Sequence, residues 1–169
     1  MFGRRRVAPA PVGNDDLWRI HDAQMDWTGK VDAKAAFALT FQAALLAGAV
    51  SLLEEMNTGL EYVLMGLSVV LVATGAVFSA LVVAPRLRSK NLHREAASNY
   101  IYFGHARSWT PDRLVADVRR ADLADQIARQ VIVMAEIAWI KHRRVALSIW
   151  FGVAGGAFLL AAGAVSRLS

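Results

Sequence analysis

Three long uncharged segments constrain the fold of this chain more than any other feature of its sequence. They are residues 35–53, 62–84 and 145–166, which contain 19, 23 and 22 residues. As helices that rise 1.5 Å per residue they would be about 28, 34 and 33 Å long, which matches a hydrocarbon core about 30 Å thick. None of them has the polar face that a helix in a soluble bundle usually keeps. The sequence therefore favours three membrane spans over a soluble three-helix core.

Basic residues are distributed unevenly among the segments that join these runs. Residues 1–34 hold six Lys or Arg and residues 85–144 hold twelve, whereas residues 54–61, EEMNTGLE, hold none. Because loops rich in Lys and Arg stay in the cytoplasm, we expect the N-terminus and residues 85–144 to be cytoplasmic, and residues 54–61 and the C-terminus to be external. Topology and contact with anionic lipid account for the net charge of +5, so we predict no nucleic-acid partner.

Helix signals also occur outside the apolar runs. Asn14 as an N-cap and an acidic first turn predict a helix ahead of the first span, in which Gly29 either marks a bend or is tolerated within a continuous helix. Thr110 followed by proline predicts a second helix start. From Leu123 onward apolar residues recur at helical spacing, and neither Gly nor Pro intervenes before Gly152. We therefore expect one helix to run unbroken into the third span.

These boundaries predict an all-α membrane protein with three transmembrane helices and a small helical cytoplasmic region between spans 2 and 3. The largest segment predicted outside the membrane is a candidate sensor of a soluble signal. In chain order the predicted parts are a cytoplasmic N-terminal segment with an amphipathic helix (1–34), the first span (35–53), a short external loop (54–61), the second span (62–84), the cytoplasmic connector (85–144), the third span (145–166) and an external tail (167–169).

The sequence contains no recognisable catalytic or metal-binding motif. Its four histidines have neither the HExxH spacing nor another metal-ligating one, and the chain has no cysteine, no GxSxG, no P-loop and no GxGxxG. Helix starts and a solvated loop explain its paired carboxylates. We therefore expect a protein that is not an enzyme and that needs no cofactor and no metal.

The polar residues within the three spans are uncharged. None of them is Asp, Glu, Lys, Arg or His, which argues against a proton-coupled transporter or a voltage sensor. A stripe of small residues follows the third span and predicts a packing surface, either within the chain or between the subunits of a homo-oligomer. Three spans alone enclose no pore, so a channel would require several subunits. The stripe consists of Ser148, Gly152, Gly156 and Gly163.

An acid and a base, Asp32 and Lys34, lie at the mouth of the first span. Lys34 can extend its ammonium group to the lipid headgroups, and this contact would fully explain the presence of a lysine at this position. Asp32 is not needed for topology, and anionic lipid would repel it, so we expect it to have a partner. The candidates are Lys34 itself or one of three connector residues, Lys141, Arg143 and Arg144. Asp32 is then a candidate latch between the cytoplasmic part and the membrane.

Several of these elements together resemble the transmembrane effectors of Pycsar antiphage systems. They are VDAKA at the first span, the acidic hairpin, NYIYFGHARSW in the connector, and DLADQIARQVIVMAEIAWIKHRR before the last span. The resemblance covers roughly residues 16–166. It depends first on Asp32, Lys34 and Ala35, and second on Leu123, Gln126, Ala138 and Lys141.

The resemblance implies a bacterial inner-membrane effector that is paired with a nucleotide cyclase. The cyclase would make cyclic CMP (cCMP) or cyclic UMP (cUMP) after phage infection. The nucleotide would then activate the effector, which would impair the membrane and kill the cell before phage progeny mature.

A pocket for such a nucleotide would need a cation or a helix N-terminus for its single phosphate charge, and an aromatic ring for its base. Ordinary interfacial aromatics and solvated arginines would explain the same kinds of residue without a ligand. The densest local supply of these groups is Tyr102, His105, Arg107, Trp109 and Arg113.

Two other functions are compatible with the sequence. One is a small oligomeric ion channel with the small-residue stripe as its seam. The other is a scaffolding membrane protein whose basic face recruits anionic lipid or a partner. Neither of them requires nucleotide sensing.

Overall fold

The computed structural model describes residues 13–85, 96 and 99–168, and every regular element among them is a helix. Three of the helices are long and apolar enough to cross a membrane, which confirms the predicted all-α fold with three transmembrane helices. Parts of the predicted N-terminal segment and connector, and the last residue, lie outside the described residues. The helices are α1 (Asn14–Leu52), α2 (Gly59–Val83), α3 (Phe103–Ala106), α4 (Pro111–Val118) and α5 (Ala124–Ser166), with a 3₁₀ turn at Leu53–Glu55.

Helices α1 and α5 are much longer than the spans they contain. α1 has 39 residues, and Gly29 lies inside this continuous helix, as one of the two alternatives for this glycine predicted. α5 has 43 residues and begins directly after Leu123, as the uninterrupted helical spacing predicts. In both, the helix that begins outside the apolar run continues into it.

Two of the predicted helix starts differ in detail from the structure. Asn14 is the first helical residue rather than the N-cap, because the carbonyl of Gly13 already accepts hydrogen bonds from the backbone N–H groups of Asp16 (3.1 Å) and Leu17 (3.5 Å). Thr110 does precede α4, but its side chain makes no capping hydrogen bond. The proline that follows it fits the first turn, since proline has no N–H to satisfy there.

The described residues form two compact units. The connector unit comprises residues 13–25, 96 and 99–135, and the membrane unit comprises residues 26–85 and 136–168. Helices α1 and α5 contribute residues to both. The connector cavity lies within the first unit, and the Asp32–Lys141 pair lies within the second.

Helices α1, α2 and α5 pack together in the membrane unit. Small apolar clusters close the bundle at its two ends: Ala49, Met65 and Leu159 are buried at the hairpin end, and Val31, Val82 and Val145 at the opposite end. The outer surface of the bundle is apolar, and Phe37, Trp150 and Leu160 expose 76%, 71% and 77% of their surface. Large exposed hydrophobic side chains of this kind are stable in lipid and would be costly in water.

The small-residue stripe of the third span faces α1 within the same chain. A Cβ atom added to Gly156 or Gly163 would lie in ordinary contact with leucine side chains of α1, at 3.6 and 3.7 Å. The closest approach involves a neighbour outside the stripe, Gly155, whose added Cβ would lie 2.5 Å from Cγ2 of Val72 and 3.0 Å from the carbonyl oxygen of Ser68. Gly155 therefore permits close packing of α5 on α2, and so does Gly75 of α2, whose added Cβ would lie 2.9 Å from the carbonyl oxygen of Ser148.

A capping box begins α2 and holds the hairpin that precedes it. Thr58 is the N-cap, and its hydroxyl accepts a hydrogen bond from the backbone N–H of Glu61. The Glu61 carboxylate accepts in return from the backbone N–H groups of Asn57 (2.7 Å) and Thr58 (3.3 Å). Glu61 is fully buried, unlike the exposed Glu54 and Glu55 of the same hairpin. The pattern T-x-x-E before an apolar run is a sequence signal for this arrangement.

Candidate functional site

The connector unit contains a cavity of about 440 Å³. Small-molecule sites in proteins usually have volumes of about 300–1,000 Å³, so this cavity is large enough for a small ligand. Its lining combines amides, an aromatic ring, an imidazole, a guanidinium and aliphatic side chains. The lining residues are Asn99, Ile101, Tyr102, His105, Gln126, Arg129, Gln130, Ile132 and Val133.

Two parts of the chain form the walls of this cavity. One wall consists of the segment that leads into α3, together with α3 itself. The other is the start of α5, where Gln126, Arg129, Gln130 and Val133 recur at the i, i+3, i+4 and i+7 spacing of one helix face. The polar side chains of that face therefore point toward the same space.

Tyr102 and His105 belong to the first wall. Their rings meet edge to face with centroids 5.3 Å apart, and only 6% of the His105 surface is exposed. A Cβ atom at Gly104 would collide with the Tyr102 ring, so only glycine allows the ring to lie against the backbone at this point.

Trp109 and Arg113 form a separate stack. The Arg113 guanidinium lies 4.2 Å from the centroid of the Trp109 ring, a cation–π contact. The Trp109 indole donates a hydrogen bond of 2.7 Å to the carbonyl of Ala96 and meets the Tyr100 ring edge to face. Neither residue lines the cavity.

Of the five residues suggested as ligand contacts, only Tyr102 and His105 therefore line the cavity. Arg107 is exposed and outside its lining. The guanidinium of the lining comes instead from Arg129, which the density of basic and aromatic residues did not indicate. The sequence signal that could have indicated Arg129 is its helical spacing with Gln126 and Val133, which places the three residues on one face of α5.

The hydroxyl of Tyr100 has a raised pKa. Burial first, and the Asp117 carboxylate second, raise the pKa of its hydroxyl above the ordinary value of 10.0, so the group is neutral at cellular pH. The unfolded chain would release this proton at lower pH than the folded one. Ionisation of this hydroxyl is therefore more costly in the folded chain, so the stability of the fold decreases as the pH rises from 10.0 through the raised pKa.

An ion pair joins α1 to α5 in the membrane unit. The Lys141 ammonium lies 2.6 Å from Oδ1 and 2.8 Å from Oδ2 of Asp32, and the two side chains are 22% and 39% exposed. Lys141 is thus the partner of Asp32 among the four candidates from the sequence. Lys34 is exposed and lines an apolar groove with Phe37 instead.

A buried hydrogen-bond network connects the three spans. The Gln42 amide of α1 donates to the carbonyl (2.9 Å) and hydroxyl (2.8 Å) oxygens of Ser148 in α5. The Ser148 hydroxyl donates to the carbonyl of Gly75 in α2 (2.8 Å) and lies 2.6 Å from the Ser79 hydroxyl. Ser148 is therefore a hydrogen-bonding centre of the bundle as well as a small residue at a helix contact. Such bonds stabilise helix association in lipid.

Within the described part of the chain, no three His, Asp or Glu side chains are placed to hold a metal ion. The cavity in the connector unit is lined by six polar side chains, those of Asn99, Tyr102, His105, Gln126, Arg129 and Gln130.

Comparison with known proteins identifies a family. A family model described as the Pycsar effector protein domain matches residues 16–167. No curated protein and no solved structure matches the chain. The matched range includes all three spans, the cavity and the Asp32–Lys141 pair.

Proposed function

Because this chain belongs to the Pycsar effector protein family, and is therefore an antiphage defence effector that associates with the membrane and is paired with a cyclase, we propose that cUMP or cCMP activates it by binding in the connector cavity. The activated protein impairs the inner membrane, and the infected cell dies before phage progeny are complete. The observation that supports this proposal most directly is the lining of the cavity.

The lining suits the three chemical parts of a cyclic pyrimidine nucleotide. The cyclic phosphodiester carries one negative charge, and Arg129 supplies a guanidinium that can donate two parallel hydrogen bonds to it. The Tyr102 ring can stack on the base. Gln126 and Gln130 supply carboxamides, each with donors and an acceptor, for the polar edge of uracil or cytosine.

Helix α5 connects this cavity with the membrane boundary. Arg129 and Lys141 lie on the same unbroken helix. A nucleotide that shifts the first turns of α5 therefore acts on the helix that holds Asp32 through Lys141. In this proposal the ion pair is a latch that couples binding to the spans.

The remaining parts of the proposal follow from this mechanism. The signal is binding alone, so the protein is not an enzyme and requires no cofactor or metal. The connector and the N-terminus are cytoplasmic, where the cyclase product is released, and the hairpin and the C-terminus are external. Because three spans that pack on each other enclose no pore, membrane impairment requires a homo-oligomer.

Binding of labelled cUMP and cCMP to the purified full-length chain in detergent tests the cavity. We expect saturable binding of one of them that unlabelled cyclic AMP does not displace. Arg129→Gln should weaken binding about tenfold or more, since hydrogen bonds to a charged group contribute about 1.5–3 kcal/mol. Arg119→Gln removes the same charge from an exposed position outside the cavity and should leave affinity unchanged. Equal losses in both variants, or no binding, would contradict the proposal.

Cells that also express the cyclase test the outcome of activation. Entry of propidium supports a breach of the membrane. Depolarisation without propidium entry would indicate a selective oligomeric channel instead. If the protein binds neither nucleotide and viability is unchanged, the scaffolding alternative holds.

A further inference from the structure

We propose that the membrane unit contains a specific site for the phosphate of an anionic glycerophospholipid, held by Arg144. This site is separate from the connector cavity and does not depend on the proposed function. It lies where α2 ends and α5 enters its apolar run. Two cavities meet there, and both are lined in part by Arg144 and Ile140.

The first of these cavities has a volume of about 330 Å³. It combines charged side chains with the apolar end of α2. Asp32, Lys141 and Arg144 supply the charges, and the other lining residues are Leu81, Val82, Val83, Ala84, Pro85, Ile137 and Ile140.

The second cavity has a volume of about 300 Å³, and its lining contains both basic and apolar residues. Arg143 and Arg144 line it together with Phe78 and Leu147. Leu147 is three residues further along α5 than Arg144, within the uncharged run that begins at Val145. The charge of Arg144 is thus placed at the beginning of an apolar path.

The charges of the described residues in this region do not cancel. Both carboxylate oxygens of Asp32 are hydrogen-bonded to Lys141, so this acid is already neutralised by one base. Arg144 is half-buried, and the structure records no ion pair for it with any described carboxylate. A partly buried cation without a counterion is costly, and a phosphodiester matches the geometry of a guanidinium. An anion at Arg144 would remove this cost.

The surroundings favour a lipid phosphate over a phosphate in solution. Apolar walls stabilise acyl chains, but they make no favourable interaction with a free phosphate ion. Trp139, which also lines the second cavity, is 74% exposed, as is common for tryptophan at the level of the lipid headgroups. The site therefore fits an anionic headgroup at Arg144 with an acyl chain along Phe78 and Leu147.

Lipid retention by the full-length protein tests this site. The protein is purified in detergent, mixed with phosphatidylglycerol or with phosphatidylcholine of the same chain length, and studied by native mass spectrometry and thermal unfolding. We expect retained phosphatidylglycerol and a higher Tm, with neither effect from phosphatidylcholine. Arg144→Gln should lower phosphatidylglycerol retention at least fivefold.

Lys34→Gln is the matched control. It removes the same charge from an exposed residue at the mouth of the first span, on a groove that Arg144 does not line. Its retention should equal that of the wild type. Equal losses in both variants would overturn the proposal in favour of diffuse attraction to a basic boundary.

Two further experiments distinguish a lipid site from a site for free phosphate and replace Arg144→Gln if that variant does not accumulate. Glycerol phosphate, which has the headgroup phosphate without acyl chains, should not displace the lipid; full displacement would make this a site for free phosphate. If Arg144→Gln does not accumulate, Arg144→Lys replaces it. We expect it to lower retention at least twofold, because lysine cannot form two parallel bonds, and wild-type retention would overturn the assignment to Arg144.

Discussion

Asp32 and Lys141 are separated by 109 residues in the chain, yet their side chains form two hydrogen bonds shorter than 3 Å. Because both are partly exposed, the pair contributes no more than about 1 kcal/mol to stability. An interaction this weak is not required for folding. It can still favour one arrangement of the α1–α5 pair over another, and a latch requires no more than this.

Replacement of Asp32 should therefore affect signalling more than insertion. We expect Asp32→Ala to reach normal membrane levels but to lose most of its toxicity when the cyclase is co-expressed, as measured by immunoblot of membrane fractions and by viable counts. Lys34→Ala, which changes an exposed charge two positions away, should retain toxicity. Normal toxicity of Asp32→Ala at normal levels would show that the pair has no role in signalling.

Helix packing depends on one glycine of an adjacent pair in α5. A Cβ at Gly155 would approach backbone atoms of α2, which cannot move without separating the helices, whereas a Cβ at Gly156 would make ordinary contacts with Leu45. We expect Gly155→Ala to lower stability by about 1–3 kcal/mol. Gly156→Ala should be neutral or slightly stabilising, since alanine is the better helix former. Thermal unfolding in detergent distinguishes the two variants, and equal Tm values would contradict this packing.

The hairpin before α2 depends on its capping box. Thr58→Ala should cost about 1 kcal/mol, because the backbone N–H of Glu61 loses its acceptor. Glu61→Ala should cost at least as much, since it leaves two N–H groups of the hairpin without their acceptor. Glu54→Ala changes an exposed carboxylate nearby and is the control. A Tm for Glu61→Ala as high as that of the control would show that the buried carboxylate is not stabilising.

At the scale of the whole molecule, the proposed orientation can be tested directly because the chain has no cysteine. Asn57→Cys adds a thiol to the exposed hairpin, and Ser108→Cys adds one to an exposed position of the connector. In spheroplasts, a membrane-impermeant maleimide should label the first variant at once and the second only after permeabilisation. Reversed labelling would place the connector, and with it the connector cavity, outside the cell.

The candidate site could be predicted only in part. Tyr102 and His105 were accessible from the sequence because they lie in a short segment rich in aromatic and basic residues. Arg129 lies some 25 residues further along, and it reaches the same cavity because one face of α5 packs there. Local density of residue types does not report such a contact. Trp109 and Arg113, which are equally suggestive in sequence, stack on each other instead.

The sequence by itself determined the three spans, the all-α class and the continuity of α5. The physical reason is local: a backbone in lipid must satisfy its hydrogen bonds internally, which a single segment of about 20 apolar residues does as a helix, and no Gly or Pro interrupts the helical pattern that leads into the third span. The tertiary structure decided that Lys141 pairs with Asp32, that Gly155 rather than Gly156 is the tight contact, and that Arg129 lines the cavity. These outcomes depend on how each helix is rotated against its neighbours, which is set by packing between residues far apart in the chain.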